Sequence, residues 1–218
     1  MKDDVSPRKK PRSQRTNDPD GNRRNIIEVA TQEFAEKGFS GARVDEIAAR
    51  TKTSKRMIYY YFTGKEGLYI AVLEEAYRKI RGIEATLDLA HQPPAEALRK
   101  LVGFTFDYQN AHPEFIRLVM NENILNGAFV SRSKDIQRLN SAVINAVRAL
   151  LARGQREGDF RKDLDPVDLH MSISALCFFN VANRATFSTI FKRDMASSRA
   201  LALRRSQIAD LILRYVRR

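Results

Sequence analysis

The stretch 43–62 (RVDEIAARTKTSKRMIYYYF) constrains the fold of this chain more than any other segment. Its first half has apolar residues at positions 44, 47 and 48, which is the i, i+3, i+4 spacing of a single apolar stripe on a helix. A polar break follows at 51–53. Beyond it, Ile58 and Phe62 lie four residues apart and therefore share one face of a second helix. The sequence predicts two short helices joined by a tight turn.

The second helix of this pair is expected to turn cations and tyrosines outward. Ser54 or Thr53 is suited to cap its start. With Ile58 and Phe62 facing a core, the side chains left outside are Lys55, Arg56, Tyr59 and Tyr60. An α-helix fits the major groove of B-form DNA, where such side chains reach guanine edges and phosphates. A plain solvated face is the alternative, but charge runs seldom coincide with this pattern and outward tyrosines.

The pattern extends on both sides, over residues 23–73. It reads Ile26-Ile27-x-x-Ala30-x-x-x-Phe34-x-x-x-Gly38-Phe39, then Val44-x-x-Ile47-Ala48, then Ser54-x-x-x-Ile58-Tyr59-Tyr60-Tyr61-Phe62-x-x-Lys65-Glu66-x-Leu68. This arrangement resembles the amino-terminal domain of the TetR family of bacterial transcriptional regulators. The resemblance implies an all-α protein of about nine helices. A three-helix helix-turn-helix domain would be joined by a long fourth helix to a helical domain for ligand binding and dimerisation.

The resemblance also assigns DNA contacts residue by residue. Tyr59 stands where the family has a phosphate-contacting tyrosine, Tyr61 at an aromatic position facing DNA, and Lys65 where a lysine meets the DNA backbone. Variable positions that tend to set the operator sequence are occupied by Ser54, Lys55 and Arg56. The full expected set is Arg43, Thr53, Ser54, Lys55, Arg56, Tyr59, Tyr60, Tyr61 and Lys65.

Two positions depart from the family pattern. Arg43 replaces the usual threonine before the second helix of the domain, and Lys52-Thr53 replaces Gly-Val in the turn. Arg43 can substitute a charged phosphate contact for a cap. Lys52 lacks the freedom of glycine at positive φ, so a somewhat different turn is expected.

The chain is expected to divide into three segments. These are a basic disordered tail (1–22), a DNA-binding domain (23–67, with its motif at 43–62) and an effector-binding and dimerisation domain (68–218). The first 24 residues hold eight basic and four acidic side chains without apolar periodicity. Such a tail either lies along the minor groove or backbone of DNA, or is merely solvated. The whole chain carries 38 Lys and Arg against 26 Asp and Glu, a net charge of +12 that favours a polyanionic partner.

The remaining sequence is helical in pattern. A capping box, Thr63-x-x-Glu66, predicts the start of the long fourth helix, and the segment 91–94 (HQPP) is expected to stop it. Further helices are predicted at 94–110, 113–125, 133–156, 166–191 and 198–217.

The helix at 166–191 is apolar on two faces, and the resemblance implies that the last two helices form a four-helix bundle across a two-fold axis. A dimer would place two recognition helices about 34 to 36 Å apart, in successive major grooves.

Aromatic and polar side chains between 94 and 191 are candidates for a ligand pocket. They are Phe104, Tyr108, Phe115, Met120, Asn123, Phe178, Asn180, Asn183 and Arg184. Each one singly is better explained by ordinary core or dimer packing. For the group, the resemblance implies a small-molecule effector whose binding lowers operator affinity. Arg184 could pair with an anionic ligand or with an acidic residue across the dimer.

Nothing in the sequence indicates an enzyme, a metal site or a cofactor. The histidines, His91, His112 and His170, stand far apart, and neither a nucleophile elbow nor a glycine-rich phosphate loop is present. Cys177 is the only cysteine, which leaves no intrachain disulfide. In its apolar run it is either a small buried hydrophobe, which we favour, or a redox sensor.

The expected function is that of a sequence-specific repressor, released from a palindromic operator by a small-molecule effector. The alternative is an effector-independent nucleoid or division-control protein on the same scaffold, which steeply salt-dependent, sequence-independent binding would favour. The beginning of the chain lacks the apolar segment of a secretion signal, and no run approaches a membrane span. We therefore expect a cytoplasmic protein, associated with the nucleoid when bound to DNA. The operator sequence, the effector and the regulated genes do not follow from the amino-acid sequence.

Overall fold

The computed structural model describes residues 18–217, which form ten α-helices and one 3-10 turn. The helices are α1 (Pro19–Gly41), α2 (Val44–Thr51), α3 (Lys55–Phe62), α4 (Lys65–Glu84), α5 (Pro94–Ala111), α6 (Pro113–Ile124), α7 (Lys134–Glu157), α8 (Pro166–Ala182), α9 (Arg184–Phe191) and α10 (Ser198–Val216). Within the described range, the only extended pairing is one bridge between Phe160 and Arg217. The expected all-α class is confirmed. None of the helices in this part of the chain has the length and apolar character needed to cross a bilayer.

The first helix begins earlier than the sequence analysis placed it. Asp18 accepts a hydrogen bond from the backbone N–H of Gly21 at 2.9 Å, and Pro19 occupies the first helical position. Together they form a favourable helix start, so residues 19–22 are helical and do not belong to a tail. The rest of the expected tail, residues 1–17, lies outside the described residues.

Helices α1 to α3 and the first half of α4 pack around one apolar core, which we call the amino-terminal core. Its fully buried side chains include Ile26, Phe34, Ile47, Ile58 and Tyr69. The apolar stripes expected on α2 and α3 both face this core. Burying a side chain of this kind contributes about 1.5–3 kcal/mol, so the stripes fix the angle between the two short helices.

The turn between α2 and α3 forms without glycine. Lys52 takes the left-handed conformation (φ 54°, ψ 31°), and its N–H lies against the carbonyls of Ala48 and Ala49 at the end of α2. A side chain in this region costs about 1 kcal/mol relative to glycine. Ser54 then caps α3, because its hydroxyl accepts from the N–H of Met57 at 3.2 Å. The expected turn is confirmed, with Lys52 strained.

A buried carboxylate joins α1 to α2. The Glu33 side chain is 2% exposed and lies 2.9 Å from the Lys37 ammonium and 3.5 Å from the Arg50 guanidinium. It also accepts from the backbone N–H of Arg43 at 3.3 Å. Because a buried charge is costly unless it is paired, these partners hold α2 in place against α1.

The fourth helix differs from expectation at both ends. Its N-cap is Gly64 (φ 122°), while Thr63 ends α3 in the left-handed conformation and donates its hydroxyl to the Phe62 carbonyl. The predicted capping box is therefore wrong, since Thr63 is already committed to α3. The helix ends at Glu84, before the prolines. Arg153 on α7 holds the following loop by donating to the carbonyls of residues 89, 90 and 92.

A second break divides the helix expected at 166–191. Asn183 (φ −104°, ψ 6°) leaves the helical region, so α8 ends at Ala182 and α9 begins at Arg184. Asparagine lowers helix propensity and tolerates this bridge-like conformation. This division raises the number of α-helices in the described range above the nine expected.

Helix α6 connects the amino-terminal core to the rest of the protein. Leu118 belongs to the amino-terminal core, whereas Phe115 and Ile116 pack in a separate aromatic cluster with Tyr108. The amide of Asn121 donates to the Phe34 carbonyl on α1 at 3.1 Å. A displacement of α6 would therefore also move α1, to which it is hydrogen-bonded.

Candidate DNA-binding surface and effector region

Helix α3 presents a continuous polar surface, which we call the α3 face: Lys55, Arg56, Tyr59 and Tyr60. All four are exposed, and Tyr60 is the most open, with 78% of its surface accessible. Arg56 has no ion pair or side-chain hydrogen bond with any described residue. Because it is unpaired, its guanidinium can approach DNA without first giving up a partner in the protein.

Lys55, in contrast, is already paired. Its ammonium lies 3.1 Å from Asp45 on α2 and 5.9 Å from the centre of the Tyr59 ring. The hydrogen bond to Asp45 raises the lysine pKa. Both partners are exposed, so the pair contributes little to stability and can be exchanged for a phosphate.

Ser54 and Thr53, both expected DNA contacts, also make hydrogen bonds within the protein. The Ser54 hydroxyl caps α3, and the half-buried Thr53 hydroxyl lies 3.4 Å from the Thr51 carbonyl. Ser54 remains exposed, so its hydroxyl is accessible to DNA. A DNA contact would have to share the hydroxyl with the cap hydrogen bond.

Three other expected DNA contacts lie at the edge of the α3 face. Lys65 donates to the Ser40 carbonyl at 3.3 Å and lies over the Phe39 ring, and partial burial lowers its pKa. Tyr61 is half-buried against the amino-terminal core and meets Tyr60 edge to face at 5.6 Å. Arg43 is exposed at the start of α2. These three residues thus differ in how freely their side chains can move: Arg43 is exposed, whereas Lys65 and Tyr61 are partly buried.

Arg23 is a basic residue that sequence reasoning did not include in the site. Its guanidinium lies 5.3 Å from the centre of the Phe62 ring, at the end of α3. The side chain is exposed, and Arg24 is its neighbour on α1. The basic dipeptide was visible in the sequence, but only the contact between Arg23 and Phe62 reveals that it adjoins α3.

The nine expected ligand residues do not form one group. Phe104, Tyr108, Phe115 and Phe178 meet in the aromatic cluster, where the Tyr108 and Phe115 rings lie 6.2 Å apart. Burial raises the pKa of Tyr108. A cleft of about 350 Å³ between α1, α4, α5 and α6 opens onto Tyr108 and Phe115. These four residues therefore pack as a core that borders a cleft.

Asn180 and Arg184 form a second group. The Asn180 amide donates to the Asn110 side chain at 3.0 Å, and Arg184 donates to the same oxygen. The remaining three residues, Met120, Asn123 and Asn183, are exposed. The Asn123 amide donates to the Val119 carbonyl of its own helix, and Asn183 separates α8 from α9. The expectation of a single pocket lined by all nine is therefore wrong in its extent.

Two titratable side chains of α8 are shielded from water, Cys177 fully and His170 in part. Cys177 is fully buried, and burial raises the pKa of its thiol to about 12, which confirms the expected small hydrophobe. Burial, with a smaller effect from Arg81, lowers the pKa of His170 to about 4. Residues 18–217 contain no group of three or more potential ligand side chains that could hold a metal ion.

Apolar side chains remain uncovered on α8 and α10. They are Val167, Met171 and Phe179 on α8, and Leu203, Leu211 and Tyr215 on α10, and each is about 40–60% exposed. The intervals of four residues place each set along one side of its helix. We call these six residues the apolar face. Exposed large apolar side chains in such number are typical of a protein–protein interface.

Comparisons with known proteins cover both parts of the chain. Residues 26–72 match the family model described as "Bacterial regulatory proteins, tetR family", and residues 94–212 match "Tetracyclin repressor-like, C-terminal domain". The HTH-type transcriptional repressor NicS of Pseudomonas putida is 37% identical over 204 residues, which is 94% of this chain and 96% of that protein. The HTH-type transcriptional repressor SCO4008 of Streptomyces coelicolor is 34% identical over 63% of this chain and 68% of its own length.

Solved structures show the same architecture. The crystal structure of SCO4942 from Streptomyces coelicolor superimposes with a TM-score of 0.68 and 28% identity, over 89% of this chain and 98% of that one. A TetR transcriptional regulator from Chloroflexus aurantiacus superimposes with a TM-score of 0.69 over 91% of this chain and 98% of its own. At 20% identity, the second likeness concerns the fold alone.

Proposed function

The chain belongs to the TetR family of bacterial transcriptional regulators, and we propose that it is a homodimeric repressor that a small-molecule effector releases from a palindromic operator. Members of the family bind DNA, dimerise and bind small molecules. Repression is supported by the names of the relatives that are 37% and 34% identical. A regulator of this kind acts on the bacterial chromosome, so we place it in the cytoplasm and on the nucleoid.

The α3 face is the observation that carries the DNA-binding proposal. Arg56 has no partner among the described residues, and Lys55 can exchange Asp45 for a phosphate. Tyr59 and Tyr60 add hydroxyl groups beside them. We infer that Arg56 contacts base edges in the major groove, while Tyr59 and Lys65 contact phosphates. Arg43 and Arg23 would extend the basic surface, and Tyr61 would add an aromatic ring to it.

The apolar face supports the homodimer. Two copies that bury it would form a four-helix bundle from α8 and α10 of each protomer, related by a two-fold axis. This arrangement would place two α3 helices on one side of the dimer, where they contact successive major grooves of a palindrome. Such a dimer also explains why so many large apolar side chains are uncovered in a single protomer.

Helix α6 supplies a physical connection between an effector and the DNA-binding domain. One side of it packs in the aromatic cluster, and the other belongs to the amino-terminal core. A ligand that moves Phe115 or Tyr108 would displace α6 and, through Asn121, change the position of α1. A coupling of about 1–3 kcal/mol between ligand and operator would be sufficient to relieve repression.

Binding to DNA from the chain's own upstream intergenic region is the experiment that tests this function. The full-length protein would be footprinted on that duplex with unrelated DNA as competitor, over a range of salt concentrations. Protection of a palindrome that resists competition is expected for a local repressor. Weak binding that ignores sequence, both on this DNA and in a genome-wide occupancy map, would contradict the proposal and favour a nucleoid protein.

A further inference from the structure

A cleft between the α8–α9 segment and α10 lies apart from the aromatic cluster. We propose that it binds a small aromatic carboxylate. Its volume is about 210 Å³, and its walls include Phe179, Phe187, Asn180, Arg193 and Arg204. The inference rests on the proposed function for its regulatory meaning, because it names a site and a chemical class for the effector, but the binding itself is measured without DNA.

The two arginines of the cleft lack carboxylate partners among the described residues. Their neighbours are paired: Arg205, next to Arg204 on α10, lies 2.8 Å from Asp107, and Arg99 lies 2.9 Å from Asp210. Two guanidinium groups without partners that line one cleft attract an anion. A carboxylate suits them because its two oxygens match the paired N–H groups of arginine.

One carboxylate, Asp194, also lines the cleft and must be included in its charge. Its oxygen accepts from the backbone N–H groups of Ala196 at 2.8 Å and Ser197 at 3.2 Å. These hydrogen bonds lower its pKa and hold it in the loop before α10. With Arg193 and Arg204, the formal charge of the lining remains positive.

The apolar part of the cleft is aromatic. The Phe179 and Phe187 rings lie 5.8 Å apart, nearly perpendicular, and Phe187 is held from behind by Phe191 at 4.4 Å. Such a wall favours a flat ring, which can meet one phenylalanine face to face and the other at its edge. The volume matches one or two fused rings rather than a long chain. A ring with a carboxylate therefore satisfies both halves of the cleft.

Asn180 supplies a fixed polar group at the same place. It is 3% exposed, and the hydrogen bond to Asn110 keeps its amide from rotating. Phe179 and Leu203 of the lining also belong to the apolar face. The cleft thus lies at the margin of the proposed dimer interface. A bound ligand would change how two protomers pack and, with them, the separation of the two α3 helices.

Calorimetric titration of the full-length dimer with three carboxylates, benzoate, 2-naphthoate and indole-3-acetate, tests the site. Tryptamine and tryptophol serve as cationic and neutral controls with the same ring as indole-3-acetate. We expect at least one carboxylate to bind and neither control to bind comparably. Absence of binding by all three up to millimolar concentrations, or equal binding of tryptamine, would overturn the proposal.

Matched variants assign the binding to this cleft. Arg204→Gln and Arg193→Gln should each weaken the carboxylate by about tenfold or more, which is the effect of losing one charged hydrogen bond. Arg199→Gln, an exposed arginine on α10 outside the cleft, should leave affinity unchanged. Equal losses of affinity in all three variants would contradict the proposal, because the carboxylate would then respond to the net charge of the protein and not to this cleft.

Operator release is measured separately with the same carboxylate. Displacement of the protein from its footprinted DNA, abolished by Arg204→Gln but not by Arg199→Gln, would establish the cleft as the effector site. Carboxylate binding without release would overturn the effector role while leaving the DNA-binding function intact. Failure of the proposed function would instead appear as absent specific DNA binding before any ligand is added.

Discussion

The α3 face and the apolar face are both left uncovered by packing within the described part of the protomer, and they differ in chemistry. The first carries cations and tyrosines on one short helix, whereas the second carries aliphatic and aromatic side chains on two helices. A polyanion suits the first, and a second copy of the chain suits the second. The difference teaches that the class of partner can be inferred from the chemistry of the uncovered side chains.

The largest effect is expected from placing a charge in the apolar face. Leu211→Asp should convert the dimer into a monomer, because the carboxylate would be buried without a partner in the bundle. Operator affinity should fall by about 100-fold or more, since one protomer contacts only half of the palindrome. Light scattering with size-exclusion chromatography measures the first effect and fluorescence anisotropy the second.

Ile124→Asp is the control for that experiment. Ile124 is 76% exposed on α6, outside the apolar face, so the variant should stay dimeric and bind DNA normally. If Leu211→Asp also remained a dimer with full operator affinity, the apolar face on α8 and α10 would not be the dimer interface.

A smaller effect is expected from the buried carboxylate that supports the α3 face. Glu33→Gln should lower the free energy of unfolding by about 1–3 kcal/mol, because it removes the charged partner of Lys37 and Arg50. Urea denaturation measures this change. Glu36→Gln, at an exposed position of the same helix, should lie within about 0.5 kcal/mol of the wild type. Equal values for both variants would mean that Glu33 does not hold α2 against α1.

His170 provides a pH test of the packing around α8. Its pKa of about 4 in the folded protein lies below the 6.5 of a free histidine, so the unfolded chain binds the extra proton between these values. Stability contributed by the neutral ring is thus present above pH 6.5 and lost as the pH falls towards 4. After allowance for partial exposure, we expect about 1 kcal/mol of this loss between pH 7 and 5.

His170→Gln should remove that part of the pH dependence, whereas His91→Gln, at an exposed histidine, should retain it. Urea denaturation of the wild type and both variants at pH 7 and pH 5 makes the comparison. The same loss in the His170 variant as in the wild type would show that this ring is not held neutral by burial.

The smallest effect concerns the turn before α3. Lys52→Gly should raise the free energy of unfolding by up to about 1 kcal/mol, because glycine takes the left-handed conformation without strain. Lys52→Ala keeps the Cβ atom and loses the same charge, so it should give no such gain. A gain in both variants would attribute the effect to charge rather than to backbone conformation.

The sequence predicted the amino-terminal domain well because its contacts are local and its spacing is regular. Ile58 and Phe62 had to face inward once α3 was recognised as a helix, and the outward position of Arg56 followed. The errors there, at Thr63 and at residues 19–22, concern helix ends, which are harder to predict than helix interiors. Thr63 in particular could cap either α3 or α4. Arg23 was missed because its neighbour on α3 is far away in the sequence.

The expected ligand-binding residues were placed less well by the sequence, because they come from helices that are distant in the chain. Phe104, Tyr108 and Phe115 pack together, and their role in ligand binding stays a prediction. Asn183 was expected inside a continuous helix, which it interrupts. The arginines of the α8–α10 cleft, Arg193 and Arg204, were not among the expected site residues. Only the packing of α10 shows that they have no carboxylate partner within residues 18–217, whereas Arg205 pairs with Asp107.

Operator affinity as a function of salt, measured by fluorescence anisotropy on the footprinted site, tests most directly whether the α3 face binds DNA. The wild type is compared with Arg56→Ala, Tyr59→Phe and, as a control, Lys79→Ala at an exposed lysine of α4 without a described partner. We predict that Tyr59→Phe weakens all sites alike. Arg56→Ala should weaken the operator by about tenfold and change the preference among altered sites. If both variants matched Lys79→Ala in affinity and salt slope, the α3 face would not be the DNA-binding surface.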